Sequence, residues 1–338
     1  MKHKSGYILL LTLLLLSLSI AMVTRLVSLI VARYHQSALF IKQEKARQLA
    51  LGGVQLVLSA LNAPLQQKEK KEEQAKQEEL LKKNIFSMLN RWQKITLHEK
   101  IEGIDGEIQL YVSSELGKIN LNALYDFDKK KFLQQDNFDA RKVITWLGEA
   151  LKESLEGINL IEILENFLKN HQGPLNDITE LLTLKELNFF QEHIFIAPQE
   201  DKEKKQPIIL TDLFTIAGKS PLLQPTQLSA SMGSLLGLEK TSVTEEADKE
   251  SAEFAKQIKP MMNWQVEWNK LLAPFVGKEY NTLPPAIRIL FSPEFEAQAF
   301  SVVSYGNVDT ILQKIYVIIE KKMVAGQELF MIQKVYWL

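Results

Sequence analysis

Histidine is the side chain best suited to proton transfer near neutral pH and to metal ligation. The 338-residue sequence has five of them, His3, His35, His98, His171 and His193. They are scattered, without the spacing that puts two rings on one helix face. There is no GxSxG, no HExxH and no phosphate-binding glycine loop, and Gly52-Gly53 sits within a helical pattern. Cysteine is absent, which excludes disulfides and thiolate chemistry without identifying a compartment. Carboxylates abound, but they alternate with lysines in charged runs that have the composition of solvated surface. A formal net charge of −1 gives nucleic acid no basic face to bind. These residues point to binding rather than catalysis, with no small-molecule substrate.

One short cluster has chemistry of another kind. In SSELGKINLNAL, Glu115, Gly117, Lys118, Ile119, Asn120, Leu121 and Asn122 stand together. Gly117 can supply the positive φ of a tight turn, the two asparagines can bond neighbouring backbone, and Ile119 and Leu121 point inward. The segment reads as a hinge between two structural units in preference to a binding site. A helix-hairpin-helix DNA reading of the same pattern is disfavoured by the mixed charge around it.

The elements that must position this hinge begin with the N-terminus. Ser5 to Thr24 is an uncharged run of 20 residues, which at about 1.5 Å per residue matches the ~30 Å hydrocarbon core. It is too long for the core of a removed secretory signal, and no small-x-small site follows it. Lys2, His3 and Lys4 ahead of the run favour a cytoplasmic N-terminus with the rest of the chain across the membrane, and Arg25 is expected to snorkel. The helical pattern continues, with Leu39, Ala46, Ala50, Gly53, Val57 and Leu61 on one stripe, to Asn62-Ala63-Pro64. This predicts one helix of about 55 residues, half in lipid and half packed on a globular domain.

The Lys/Glu-rich run 66–84 reads as a solvated helix or flexible insertion, with a charged docking arm as the sharper alternative. EIQLYVSS alternates as a half-buried strand, next in line after the long helix. Short helices follow, with apolar faces at Val143, Trp146, Leu147, Ala150 and Leu151 and at Ile161, Leu164, Phe167 and Leu168. Asp177 and Glu180 have the spacing of a capping box. Segments 199–206 and 239–259 read as surface loops or linkers. Three strands close the chain, FSVVSY, KIYVIIEK and FMIQKVYWL, with turn signals at Gly306-Asn307 and Ala325-Gly326. The predicted fold class is α+β: a long N-terminal helix, transmembrane in one half and amphipathic in the other, on a small antiparallel sheet, with a large all-α domain inserted after the first strand. The expected units are a stem over 7–62, a discontinuous α/β domain over 63–113 and 284–338, and a helical insertion over 114–283.

A short basic leader ending at Gly6, a retained hydrophobic stem and a helix-then-sheet domain resemble the type IV pilin and pseudopilin class. The stretch from Glu115 to Asn122, leading into a large helical insertion, resembles the minor pseudopilin general secretion pathway protein K family of type II secretion systems, as do PLNDITELLTL and the segment from Leu210 to Leu238. In that last segment Leu223, Gln224 and Pro225 stand where the family more often has an Asn-bearing turn, so what the turn supports is in question here.

The resemblance implies a leader over 1–6, cleavage after Gly6 by a prepilin peptidase, and methylation of Tyr7. It implies a single-pass inner-membrane stem with the C-terminal domain in the periplasm, and assembly with other minor pseudopilins and the major pseudopilin at a fibre tip. It also implies calcium in the helical domain. Asp126, Asp128, Asp136 and Asp139 offer oxygen ligands there, although the glycine and terminal glutamate of an EF-hand loop are missing. The alternatives are a membrane-anchored periplasmic scaffold that is never processed or assembled, and an envelope hydrolase.

Overall fold

The structure, a computed structural model, describes residues 4–66, 71–135, 138–152, 155, 157–198, 207–239 and 249–338. Helix α1 (Lys4–Gln66) is 63 residues long. From Tyr7 to Ile41 its large apolar side chains are all exposed, whereas Ala46, Ala50, Val54, Val57 and Leu61 are buried. The packed stripe therefore starts at Ala46, and Leu39, expected within it, is 57% exposed.

The helix also runs past its expected stop, with Pro64 inside the last turn. Proline has no N–H to return to the carbonyl four residues back. That carbonyl, Ala60 O, accepts instead from the side chain of Asn84 at 2.8 Å. Asn84 belongs to α2 (Lys71–Met88), which packs on α1. The described part of the Lys/Glu-rich run is thus helical.

The sheet has five antiparallel strands in the order β1 (Trp92–Leu97), β2 (Gly106–Ser114), β3 (Ala299–Val308), β4 (Ile311–Val324) and β5 (Gln327–Trp337). Strand β1 and helix α2 both precede the strand expected next after α1. Strand β3 continues through Gly306-Asn307, which is therefore not the turn. The chain reverses at Asp309-Thr310, with Asp309 at φ 55°, while Ala325-Gly326 is a turn with φ of 50° and 81°. Gly306 is small for a different reason: a Cβ there would penetrate the α1 backbone at Ala46 O and lie 2.6 Å from Ala50 N.

Alternation along the strands gives the sheet two buried faces. Ile108, Leu110, Val302, Ile315 and Val317 join the core that includes the buried stripe of α1. On the opposite face Tyr111, Val303, Tyr305, Tyr316 and Ile318 pack with Ile196, Ile209 and Ala217.

Between β2 and β3 the chain leaves the sheet for 115–298. Helices α3 (Ala140–Ala150) and α4 (Leu160–Asn170) bury Val143, Ile144 and Leu147 against Leu160, Leu164 and Leu168 in one core. The capping box at Asp177 and Glu180 is present and starts a 3₁₀ helix, Ile178–Thr183. Part of the expected linker 239–259 is a helix, α5 (Lys249–Gln257), packed on α2. Ser251, Phe254 and Ala255, with Ile258 just past its end, form a narrow buried stripe. The other expected linker, 199–206, lies outside the described residues.

Candidate functional site

Two features are candidates for function: the exposed half of α1, and the junction where the chain leaves the sheet. In the first, backbone groups are satisfied within the helix, and Thr12, Ser17, Thr24 and Ser28 donate their hydroxyls back to Leu9, Leu14, Ile20 and Arg25 carbonyls at 2.8–2.9 Å. Hydroxyls returned to the helix carbonyls in this way suit an apolar solvent. By length and composition α1 can cross a membrane. Gly6 lies in the first turns of this helix and Tyr7, 71% exposed, follows it.

At the junction, Glu115 and Lys118 form an ion pair with both side chains buried. Lys118 Nζ also donates to Thr211 O at 2.8 Å and to Ser301 Oγ at 2.7 Å, while Glu115 accepts from the Thr215 hydroxyl. One lysine thus ties the turn, the insertion and strand β3 together. Asp212, also buried, accepts from Ser113 Oγ at 2.9 Å and from Ser231 N at 2.8 Å. Burial first, with the nearby charge of Asp212 second at Tyr111 and of Glu115 second at Tyr316, pushes both phenols well above their ordinary range, so both stay neutral.

Gly117 does not adopt positive φ as its sequence context suggests; it is required by proximity. A Cβ there would overlap Gln227 O, and Gly117 O accepts from Ser229 N at 3.2 Å. Asn120 caps a single helical turn by accepting from Ala123 N, and its Nδ2 donates to Ala217 O at 2.8 Å and Gly218 O at 3.2 Å. Ile119-Asn120 pairs in parallel with Phe214-Thr215. Asn122 pairs with Leu175 in both directions, each bond 2.9 Å, while Ile119 and Leu121 are buried.

Leu223, Gln224 and Pro225 still make a connection. Gln224 donates to Glu294 O at 2.6 Å and Gln227 to Glu296 O at 2.9 Å, so glutamines hold the return path to the sheet. The arrangement is a joint in which Glu115, Lys118, Asn120, Asp212, Gln224 and Gln227 spend their polar groups on one another and on nearby backbone.

The acidic cluster does not converge. Asp126 accepts from Lys129 N at 2.9 Å and pairs with its ammonium at 3.0 Å, and these bonds from Lys129 hold its carboxyl below the usual range. Asp139 caps α3 through Arg141 N at 3.0 Å, Asp128 is exposed, and Asp136 lies outside the described residues. Among the described residues no three His, Asp or Glu side chains are placed to hold a metal ion. Asp126, Asp128 and Asp139 therefore do not fit calcium as a set.

His171 meets Glu180 at 2.8 Å, but Glu180 also accepts from Asn176 N and Asp177 N, and this pair serves the capping box. Thr211, Asp212, Gln227 and Ser301 complete the junction and carried no sequence signal, since their partners lie up to 183 residues away.

No protein-family model matches the sequence, and no curated protein matches it. A solved structure with a similar chain path is the crystal structure of the GspK-GspI-GspJ complex from the enterotoxigenic Escherichia coli type 2 secretion system. It shows 14% identity over 90% of this chain and 98% of that chain, with a TM-score of 0.45. A likeness at that score says nothing by itself about what this chain does.

Proposed function

We propose that this chain is a membrane-stemmed minor pseudopilin, a subunit that assembles laterally with other pseudopilins at the tip of a short periplasmic fibre and helps initiate export of folded proteins. The observation that carries the reading is the division of α1 into an exposed apolar half and a half buried on an antiparallel sheet. A subunit built this way can be held in lipid and then drawn out against the stems of its neighbours, because the same apolar surface suits both environments. The insertion between β2 and β3 favours the tip, since a block of that size would clash if repeated in successive turns of a fibre. The resemblance of the Glu115–Asn122 segment adds to this. Counting from Tyr7, the fifth residue is Leu11 rather than an acid. A subunit with no neighbour above it has no terminal ammonium to neutralise.

Mass spectrometry of the protein recovered from membranes tests the reading. An N-terminus at Tyr7, carrying one methyl group, is the expected result, and Gly6→Val should block it. An intact leader in the assembled protein would instead support the unprocessed scaffold.

A further inference from the structure

The helical insertion carries a surface groove lined by Met261, Trp264, Tyr280, Arg288, Phe291 and Pro293. Its base is well built. Trp268 and Phe291 stack at 5.3 Å and 5°, and the Trp264 indole donates to Ser292 O at 2.6 Å. Its rim is apolar where water meets it: Met261 is 66% exposed, and Val266 and Ile289 are exposed nearby.

The charge in this groove has no counterpart among the described residues. The guanidinium of Arg288 lies 5.4 Å from the centre of the Tyr280 ring, and its Nε is buried without a hydrogen-bond partner. No carboxylate among the described residues forms an ion pair with it, and Glu267, the acid on the neighbouring helix Trp264–Leu271, is taken by Lys259 at 2.6 Å. A guanidinium held on an aromatic face with unused donors is a carboxylate receptor.

We propose that this groove docks an extended segment of another protein in which an aspartate or glutamate side chain stands next to an apolar one. The carboxylate meets Arg288 and the apolar group covers Met261 and Phe291. A side-chain carboxylate fits better than a chain terminus, which is held by convergent backbone N–H groups. Here those groups are already engaged: Met262 N donates to Pro293 O, Gln265 N to Asn263 Oδ1 and Tyr280 N to Asn269 Oδ1. The inference is independent of the fibre reading, because it concerns a surface that any anchored form of the chain would present.

The test uses the full chain in detergent micelles, labelled with ¹⁵N, and follows the Trp264 indole signal, assigned with Trp264→Phe. The probes are the blocked peptide acetyl-Leu-Glu-Phe-Gly-amide, its Gln counterpart, and the free dipeptide Leu-Phe. The acidic peptide should give a saturable shift, with affinity about tenfold lower for the Gln peptide and for Arg288→Gln, as one lost charge-assisted bond predicts. Arg288→Lys should retain part of the binding, and Met261→Glu, at an exposed position that leaves the rest of the spectrum unchanged, should abolish it. No saturable shift up to millimolar peptide, or equal binding of the Glu and Gln peptides, would overturn the proposal. Tighter binding of the free dipeptide would overturn the choice of a side-chain carboxylate.

Discussion

The side-chain amide of Asn62 pairs with both backbone groups of Phe330, accepting from its N at 2.8 Å and donating to its O at 3.0 Å. Phe330 lies on β5, the last strand of the sheet. An edge strand leaves a row of donors and acceptors open to pairing with another chain, and here the end of α1 closes part of that row. Asn62→Ala should lower stability by about 1–2 kcal/mol, the loss of two bonds, and should raise aggregation during refolding. Urea midpoints and light scattering check both effects; an unchanged midpoint would mean that water replaces the amide without loss.

Two glycines on either side of the α1–sheet contact should respond in opposite ways. Gly306 faces the α1 backbone at a distance no Cβ can share, whereas nothing lies within 4 Å of a Cβ on Gly52. Gly306→Ala should cost about 3 kcal/mol, because backbone rather than a side chain must move. Gly52→Ala should stabilise by up to about 1 kcal/mol through helix propensity. Thermal melting of the two variants decides it, and similar shifts would contradict the close packing of α1 on β3.

The buried pair Glu115–Lys118 predicts a non-additive cycle. Lys118→Met leaves the Glu115 carboxylate uncompensated and should cost about 3–5 kcal/mol. Adding Glu115→Gln should recover much of that loss, since the remaining groups are neutral. If the double variant is no more stable than Lys118→Met, the contacts of Lys118 with Thr211 and Ser301 carry the joint and the charge pair does not.

Much of this architecture is legible in the sequence, and the exceptions have physical causes. The stem, the three C-terminal strands and the Asp177–Glu180 capping box were readable because each depends on residues close in sequence. Strand β1 was not, because it is an edge strand with no fully buried residue and so shows little apolar contrast. Gly306-Asn307 has the composition of a turn, and only the approach of α1 from 260 positions earlier makes glycine necessary within a strand. Helix α5 and the residue after it hide a four-residue buried stripe among lysines and glutamates. At the junction the asparagines announced themselves, but Glu115 and Lys118 look like any solvated pair until Thr211, Thr215 and Ser301 enclose them.

The contact of the insertion with β5 should be sensitive to acid. Burial raises the carboxyl of Asp177, but hydrogen bonds from the Thr179 and Tyr336 hydroxyls outweigh it and hold the group below its ordinary value. A depressed carboxyl contributes stability that is present above its unfolded value near 4 and is lost as pH falls through the folded value. Tyr336→Phe removes one of those bonds. The stability gap between wild type and Tyr336→Phe should therefore be widest near neutral pH and should narrow below about pH 4. The Tyr336 phenol is raised, by burial first and Asp177 second. Its contribution is complete below about pH 10 and fades above it, so the neutral range tests Asp177 alone. A gap independent of pH between 3 and 7 would remove Asp177 from the account.

The division of α1 gives the last prediction. Val57 is 2% exposed in the core between α1 and the sheet, while Leu39, on the same helix, is 57% exposed. Val57→Asp would bury an unpaired carboxylate and forfeit about 1.5–3 kcal/mol of apolar burial besides, and should unfold the soluble part. Lys45→Asp and Leu39→Asp should both leave its melting temperature unchanged. The latter two separate in the assembled state: if the exposed half of α1 packs against the stems of neighbouring subunits, Leu39→Asp places a charge in that apolar contact and should reduce copurification with partner subunits, whereas a solitary anchored scaffold should tolerate it. Loss of stability in Leu39→Asp comparable to Val57→Asp would show that the packed stripe begins earlier than Ala46. Undiminished copurification with normal stability would count against a stem buried among other stems.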